Sequence, residues 1–134
     1  MKYSVDKQDR YTVFQLEEEN LNSVVAPDLK SEIVILHNEG VNNLIFDLSK
    51  VKYVDSSGLS AILTADRLMK TIGSFVLTSI EQAAVKKLFE ISRLDSVLSM
   101  APTKAEAVEY VFMEELQREL EAEGDDGDDG DEDE

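Results

Sequence analysis

The stretch best suited to chemistry is the run Asp55-Ser56-Ser57, which Gly58 follows. Asp and Ser are preferred at a helix entrance, because their side-chain oxygens accept hydrogen bonds from the free N–H groups of the first turn. Gly58 lets the backbone come close to a neighbouring group. Hydroxyls at this position lie at the positive end of the helix dipole, where an anion is stabilised. The run therefore predicts either a plain helix cap or a place for a phosphate.

Apolar elements on both sides would position this run. Residues 43–48 contain the apolar sequence Leu-Ile-Phe and read as a buried strand, whereas residues 57–72 have the periodicity of a helix. The expected inner face of that helix consists of Leu59, Ile62, Leu63, Asp66, Met69 and Ile72. Gly73 ends the helix, and residues 74–78 form a second short apolar strand. A strand, a helix and a strand in this order predict a right-handed, parallel β-α-β unit.

The N-terminal third predicts a hairpin and a helix. Residues 3–6 and 11–16 alternate as strands around a polar turn, which favours an antiparallel pair. A helix is expected from about Val24 to Asn38, with Pro27 in its first turn and Gly40 just beyond its end. Its expected buried stripe is Leu29, Ile33 and Leu36, with Val34 beside them.

The C-terminal third predicts two more helices. Residues 79–82 resemble a capping box for a short helix whose apolar residues are Val85, Leu88, Phe89 and Ile91. Residues 94–98 are expected to be extended. A second capping box, formed by Thr103 and Glu106, predicts a last helix that runs to about Leu120. The residues expected near its inner face are Val108, Val111, Phe112, Glu115 and Leu116.

These elements predict one α/β domain over residues 1–120, with a small mixed sheet of four or five strands and about four helices. The chain has 134 residues, enough for a single core. Residues 121–134 are rich in Asp, Glu and Gly, and we expect a disordered acidic tail there, because such a segment buries too little apolar surface to become ordered.

Charge and composition exclude several classes of protein. The net charge is −16, and residues 119–134 contribute 11 acidic residues and no basic one. Neither part of the chain offers the basic surface that nucleic acid or an anionic membrane requires, so we expect neither partner. The chain has no cysteine, no apolar N-terminal leader and no run long enough to cross a membrane. We expect a soluble cytoplasmic protein.

The pattern around Gly58 closely resembles the STAS domain of bacterial anti-sigma factor antagonists. The resemblance extends over about residues 3–115 and centres on the sequence Asp-Ser-Ser-Gly-Leu at residues 55–59. In that family the first hydroxyl of the motif is phosphorylated, which implies that Ser56 is the phosphoacceptor. The implied interaction surface around it consists of Asn22, Asp55, Ser57, Gly58 and Leu59. Whether Ser56 or Ser57 accepts the phosphate stays open from the residues alone.

One position departs from the family pattern. The family commonly has a Gly-Glu-Leu-Asp run before its first helix, and alignment on Leu29 places Glu19 at the Gly and Asn22 at the Asp. Asn22 can still accept a hydrogen bond, but it brings no negative charge to the site. The electrostatics of a switch at Ser56 would differ accordingly.

Three classes of function remain at this point. The first is the interaction switch just described. The second is an enzyme that uses the Asp-Ser-Ser run, which is disfavoured because a serine nucleophile needs a positioned base and the single histidine, His37, lies near the other end of the first helix. The third is a STAS subunit without a regulatory phosphate, attached to another machine such as a lipid ABC transporter.

The resemblance also implies a set of partners. The unphosphorylated protein would bind an anti-sigma factor that is itself a serine kinase, and binding would release a sigma factor for transcription. The kinase would phosphorylate Ser56, and a metal-dependent serine phosphatase would reverse the modification. The chain would then be a substrate and ligand, with no catalytic residue, cofactor or metal of its own.

Overall fold

A computed structural model describes the backbone of residues 1–132 and the side chains of residues 1–124. It contains a five-stranded mixed sheet and four α-helices, as the sequence predicts. The strands are β1 (Tyr3–Lys7), β2 (Thr12–Leu16), β3 (Asn20–Leu21), β4 (Leu44–Asp47), β5 (Tyr53–Val54), β6 (Phe75–Thr78) and β7 (Ser99–Ala101). The helices are α1 (Ala26–Asn38), α2 (Ser56–Met69), α3 (Ala83–Ile91) and α4 (Lys104–Glu132).

The main sheet has the strand order β1-β2-β4-β6-β7. The predicted hairpin is confirmed, since β1 and β2 pair antiparallel, with Val5 opposite Phe14. All other neighbours in this sheet are parallel. The predicted β-α-β unit is confirmed as well, because β4 and β6 are parallel neighbours joined through α2.

Strand alternation divides the core into two layers. Phe14, Phe46 and Phe75 lie on one face of the sheet, in the large cluster that includes the buried residues of α1, α2 and α3. Their neighbours Val13 and Ile45 lie on the opposite face, where α4 packs. This division follows from the two-residue period of a strand, which sends successive side chains to opposite faces.

A second, two-stranded ladder positions the Asp-Ser-Ser run. The strands β3 and β5 are parallel, with Leu21 opposite Val54. The backbone N–H of Asp55 also donates to the carbonyl oxygen of Leu21 at 3.2 Å. Because the strands are parallel, their carboxyl ends meet, and this brings the turn before α1 beside the first turn of α2.

Several expectations about local structure were wrong. Ser79 does not begin a capping box, because its backbone is left-handed (φ 61°), and α3 begins after Gln82 without a side-chain cap. Residues 94–96 form a 3₁₀ turn, and the extended segment lies later, at β7. Three residues expected on the inner faces of helices are exposed, since they lie past a helix end or on its outer side: Val34, Ile72 and Leu116.

Other local predictions are confirmed. Gly40 follows α1 with φ 97°, the left-handed conformation that suits a residue just beyond a helix C-terminus. The hydroxyl oxygen of Thr103 accepts a hydrogen bond from the Glu106 N–H at 3.2 Å and caps α4. In the stretch that the structure covers, no helix combines the length and apolarity needed to span a bilayer.

The last helix is longer than predicted. It passes Leu120 and extends to Glu132, consistent with the high helix propensity of the Glu-Ala-Glu sequence at residues 121–123. The predicted disorder of residues 121–134 is not tested by this structure and stays a prediction. Residues 133 and 134, and the side chains from residue 125 onwards, lie outside the described residues.

Candidate functional site

Asp55 is the N-cap of α2. Its backbone is extended (φ −103°, ψ −174°), and its carboxylate Oδ1 accepts a hydrogen bond from the Gly58 N–H at 2.9 Å. The carbonyl oxygen of Asp55 accepts the first intrahelical bond, from the Leu59 N–H at 3.0 Å. The capping function in the Asp-Ser-Ser run therefore belongs to the aspartate, and neither serine is needed for it.

Ser56 and Ser57 occupy the first two positions of α2, and they differ in accessibility. Ser56 is exposed, whereas Ser57 is half-buried. Within the part of the chain whose side chains are described, neither hydroxyl makes a hydrogen bond. The Ser56 hydroxyl is thus available at a helix N-terminus, where the dipole stabilises an anion.

Gly58 is buried because the neighbouring strand leaves no room for a side chain. A Cβ atom built on Gly58 would lie 2.4 Å from the carbonyl oxygen of Leu21 and 2.9 Å from Cγ1 of Val54. The glycine therefore lets α2 approach the β3–β5 ladder. Leu59, next in the motif, is half-buried and packs against the large core cluster.

Asn22 caps the turn before α1. Its side-chain Oδ1 accepts hydrogen bonds from the N–H groups of Val24 at 3.0 Å and Val25 at 3.2 Å. Its carbonyl oxygen accepts a further bond from the Ala26 N–H at 2.8 Å. The uncharged amide thus organises the same turn that the β3–β5 ladder places beside Asp55.

A surface cavity of about 320 Å³ joins the first turns of α1 and α2. Ser23 and Lys30 line it from the side of α1, and Ser56 and Ser57 line it from the side of α2. A cation and several hydroxyls thus share one concave surface with the exposed serine. No local sequence motif marks Lys30, because its place in the same cavity as Ser56 depends on the packing of two helices.

Two large apolar side chains close to this site are also exposed. Val24 is 78% exposed in the turn that Asn22 caps, and Tyr53 is 66% exposed on β5. An exposed apolar side chain is common by itself, but two of them beside a concave polar surface indicate a place where another protein can bind. Neither residue was predicted as part of a binding surface, because neither belongs to the Asp-Ser-Ser-Gly-Leu motif.

The histidine is at the wrong end of α1 for catalysis at Ser56. His37 lies in the last turn of α1, whereas the cavity contacts its first turn. A basic residue in the last turn is favourable for the helix dipole, which accounts for His37 without a catalytic role.

Comparison with known proteins agrees with this architecture. Residues 2–107 match the STAS domain family. The chain belongs to the STAS domain family. A relative from Bordetella bronchiseptica, named as the anti-sigma factor antagonist BtrV, is 30% identical over 119 residues, which cover 88% of this chain and all of the relative.

Solved STAS structures share the fold. The crystal structure of an anti-sigma factor antagonist from Thermotoga maritima has a TM-score of 0.72 and 26% identity, covering 81% of this chain and 93% of its own. The phosphorylated form of the Bacillus cell fate determinant SpoIIAA has a TM-score of 0.61 and 20% identity, covering 82% and 99%. Because only 20% of the residues are identical, the similarity to SpoIIAA shows a shared fold and nothing more.

Proposed function

We propose that this chain is an anti-sigma factor antagonist whose binding surface is switched by phosphorylation of Ser56. The observation that carries the proposal is the exposed Ser56 hydroxyl at the first position of α2, beside a cavity lined by Lys30. The names of the STAS relatives support the antagonist part. The choice of Ser56 over Ser57 rests on its greater exposure.

The site can accept a phosphate without loss of the fold. Asp55 caps α2 through its own carboxylate, so modification of Ser56 leaves the cap in place. A phosphate at this position would lie at the positive end of the α2 dipole, and Lys30 in the same cavity offers it a counter-charge. Transfer forms an ester bond between Ser56 Oγ and the γ-phosphorus of ATP, releases ADP and frees the hydroxyl proton.

The same phosphate would weaken an interface. It adds about −1.5 to −2 charges at pH 7, next to the carboxylate of Asp55. A partner pressed against this surface would have to desolvate that charge. A loss of about 3 kcal/mol lowers affinity on the order of a hundredfold, enough to release the partner.

The partner in this proposal is an anti-sigma factor that is also a serine kinase, and a metal-dependent serine phosphatase removes the phosphate. The unphosphorylated chain sequesters the anti-sigma factor, so that the sigma factor is free. The chain itself contributes a surface and a phosphoacceptor, and no catalytic group. A STAS subunit of a transport complex would lack this response to a kinase.

The proposal is tested with the cognate kinase, found by pull-down from the native cell extract. Wild type, Ser56→Ala and Ser57→Ala are incubated with the kinase and ATP, and the modified residue is mapped by mass spectrometry. We expect phosphate on wild type and on Ser57→Ala, and none on Ser56→Ala. Ser57→Ala is the matched control, because it removes the neighbouring hydroxyl from the same turn.

Binding to the kinase is then measured by calorimetry. Ser56→Ala should stay bound in the presence of ATP, whereas Ser56→Asp should bind on the order of tenfold more weakly and keep the circular dichroism spectrum of wild type. Phosphate on Ser57, or full binding by the phosphorylated protein, would refute the switch. Capture of a membrane ATPase complex without any kinase would favour the transport-subunit alternative.

A further inference from the structure

The helix α4 has an outer face that is apolar and faces solvent. Its inner face buries Ala107 and Val111 against the sheet residues Val13, Ile45 and Val76. The outer face carries four large apolar side chains at intervals of three and four residues, and we call them the outer stripe: Tyr110, Met113, Leu116 and Leu120. A solvent-facing helix surface is normally polar, so this second stripe is unexplained by the fold of one chain.

The four side chains of the outer stripe form one continuous surface, and a hydrogen bond holds one of them, Tyr110, in place. Its members are between 37% (Tyr110) and 64% (Met113) exposed, and they line one shallow depression on the surface of α4. The hydroxyl group of Tyr110 donates a hydrogen bond to Oγ of Ser99 at 3.1 Å, which ties this aromatic ring to β7. An aromatic ring held in this way loses little entropy when a partner binds it.

Acidic residues surround the outer stripe. The carboxylates of α4 outside its contacts with the sheet are those of Glu106, Glu109, Glu114, Glu119, Glu121 and Glu123. Arg118 does not offset them on this face, because its guanidinium nitrogens point towards Ser74 Oγ at 3.2 Å and Asn43 Oδ1 at 3.4 Å. The sequence continues this acidic character to residue 134.

This charge decides between the possible occupants. A second copy of the chain on the same face would oppose rows of carboxylates, and the net charge of −16 adds long-range repulsion. An anionic membrane surface would be repelled for the same reason. A basic amphipathic helix offers apolar side chains at the spacing of the stripe and cations for its acidic edges.

We propose that the outer stripe of α4 is a second protein-binding surface, which takes a basic amphipathic helix of a partner protein. It lies on the face of the sheet opposite to α1 and α2. A partner on α4 and a partner at Ser56 can therefore bind at the same time, and neither depends on the other. This surface would attach the switch to a larger assembly or to an additional regulator.

The test uses a synthetic helical peptide of about 18 residues with leucines at intervals of three and four and lysines elsewhere. Its affinity for the full chain is measured by fluorescence anisotropy, beside a matched peptide with glutamates in place of the lysines. We expect the basic peptide alone to bind, and its affinity to fall as salt rises from about 50 to 300 mM.

Two double variants separate the outer stripe from general acidity. Met113→Ser with Leu120→Ser removes exposed members of the stripe, and it should weaken peptide binding by about tenfold or more. Ile72→Ser with Val97→Ser removes comparably exposed apolar residues elsewhere and should leave binding unchanged. Both should keep the melting temperature of wild type; if the first does not, Leu116→Ser alone takes its place.

Several results would overturn the proposal. Equal affinity of both double variants would show that the peptide recognises charge without the stripe. Binding of the acidic peptide would contradict the charge argument. A dimer in sedimentation equilibrium that Met113→Ser with Leu120→Ser dissociates would assign the stripe to a second copy of the chain. Undiminished peptide binding by Ser56→Asp is expected, and its loss would contradict the independence of the two surfaces.

Discussion

Gly58 determines how closely the first turn of α2 can approach the β3–β5 ladder. Gly58→Ala would place a Cβ atom 2.4 Å from the carbonyl oxygen of Leu21, a backbone atom that cannot move aside without shifting the strand. We expect a loss of about 1–3 kcal/mol in the free energy of unfolding, the usual cost of overpacking. Urea denaturation measures it.

The matched control for this prediction is Ser60→Ala, an exposed position on the same helix. Its stability should stay within about 0.5 kcal/mol of wild type, because no buried group changes. If Gly58→Ala proved as stable as Ser60→Ala, the strand and helix would have to be further apart than the structure places them.

Tyr53 is expected to be an anchor of the interface at Ser56. It is 66% exposed, and tyrosine is over-represented among the residues that dominate binding energy. Tyr53→Ala should lower affinity for the anti-sigma partner by about tenfold or more and leave the melting temperature unchanged. Calorimetry with the partner measures the change.

Tyr110→Ala is the control for residue type, since Tyr110 lies on the opposite face of the sheet. It should bind the anti-sigma partner like wild type. Equal losses in both variants would mean that the partner covers both faces, which contradicts the separation of the two surfaces.

Single-residue roles were only partly readable from the sequence. Asp55, Ser56 and Ser57 are three consecutive residues that can cap a helix, and the pattern leaves open which one does. The extended backbone of Asp55 decides it in the structure. Lys30 carries no signal in the linear sequence, because its neighbour across the cavity is 26 positions away.

At the level of elements, a polar cluster around the buried side chain of Asn43 attaches α4 to the strands. Asn43 is 4% exposed; its Nδ2 donates to the carbonyl oxygen of Arg10 at 2.9 Å and to Oε2 of Glu115 at 3.1 Å. Its Oδ1 accepts a bond from the Ser74 N–H at 2.9 Å. Glu115 in turn pairs with Arg10 at 2.8 Å.

Asn43→Ala should therefore be destabilising. It leaves the buried Ser74 N–H without its partner, which costs about 1–3 kcal/mol, and it also removes the partly buried hydrogen bonds to the Arg10 carbonyl oxygen and to Glu115. We expect a loss of about 2–4 kcal/mol in urea denaturation. The adjacent Asn42 is exposed, so Asn42→Ala should cost less than about 0.5 kcal/mol. Similar values for both variants would show that the cluster contributes nothing.

Elements with a long apolar period were predictable, and short ones were not. The predicted helix face that includes Ile62 and Met69 identified α2, whereas β3 and β5 have two residues each and show no periodicity. Ser79 looked like a cap because its residue type fits, but the chain leaves β6 in a left-handed conformation there. Such turns depend on the direction of the next helix, which tertiary packing determines.

For the whole molecule, the order of elements was enough to predict the architecture. An opening hairpin followed by alternating strands and helices permits few right-handed arrangements of a mixed sheet. The sequence did not reveal that, among the described residues, α4 is the helix that packs on the second face of that sheet. Its outer stripe was partly mistaken for a core face, since Leu116 was expected to point inwards and is 46% exposed.

The acidic C-terminus affects the net charge of the whole molecule, and its described residues add nothing to the core. Among the described side chains of α4, those of Ala107 and Val111 are buried, and residues 121–124 are exposed. Removal of residues 121–134 takes away 10 acidic residues and changes the net charge from −16 to −6. We expect the melting temperature to change by less than about 2 °C, because the described side chains of this segment, those of residues 121–124, are exposed, and exposed terminal residues add little stability.

Truncation after residue 109 is the matched control, since it also removes Val111 from the core and should lower the melting temperature strongly.

Removal of residues 121–134 should instead slow association with the basic peptide, because fewer carboxylates attract the peptide from a distance. Stopped-flow fluorescence at low and high salt measures this, and the difference between full chain and truncation should vanish at high salt. A large drop in melting temperature on removal of residues 121–134 would show that the acidic segment docks on the domain, and an unchanged association rate at low salt would remove its role in steering.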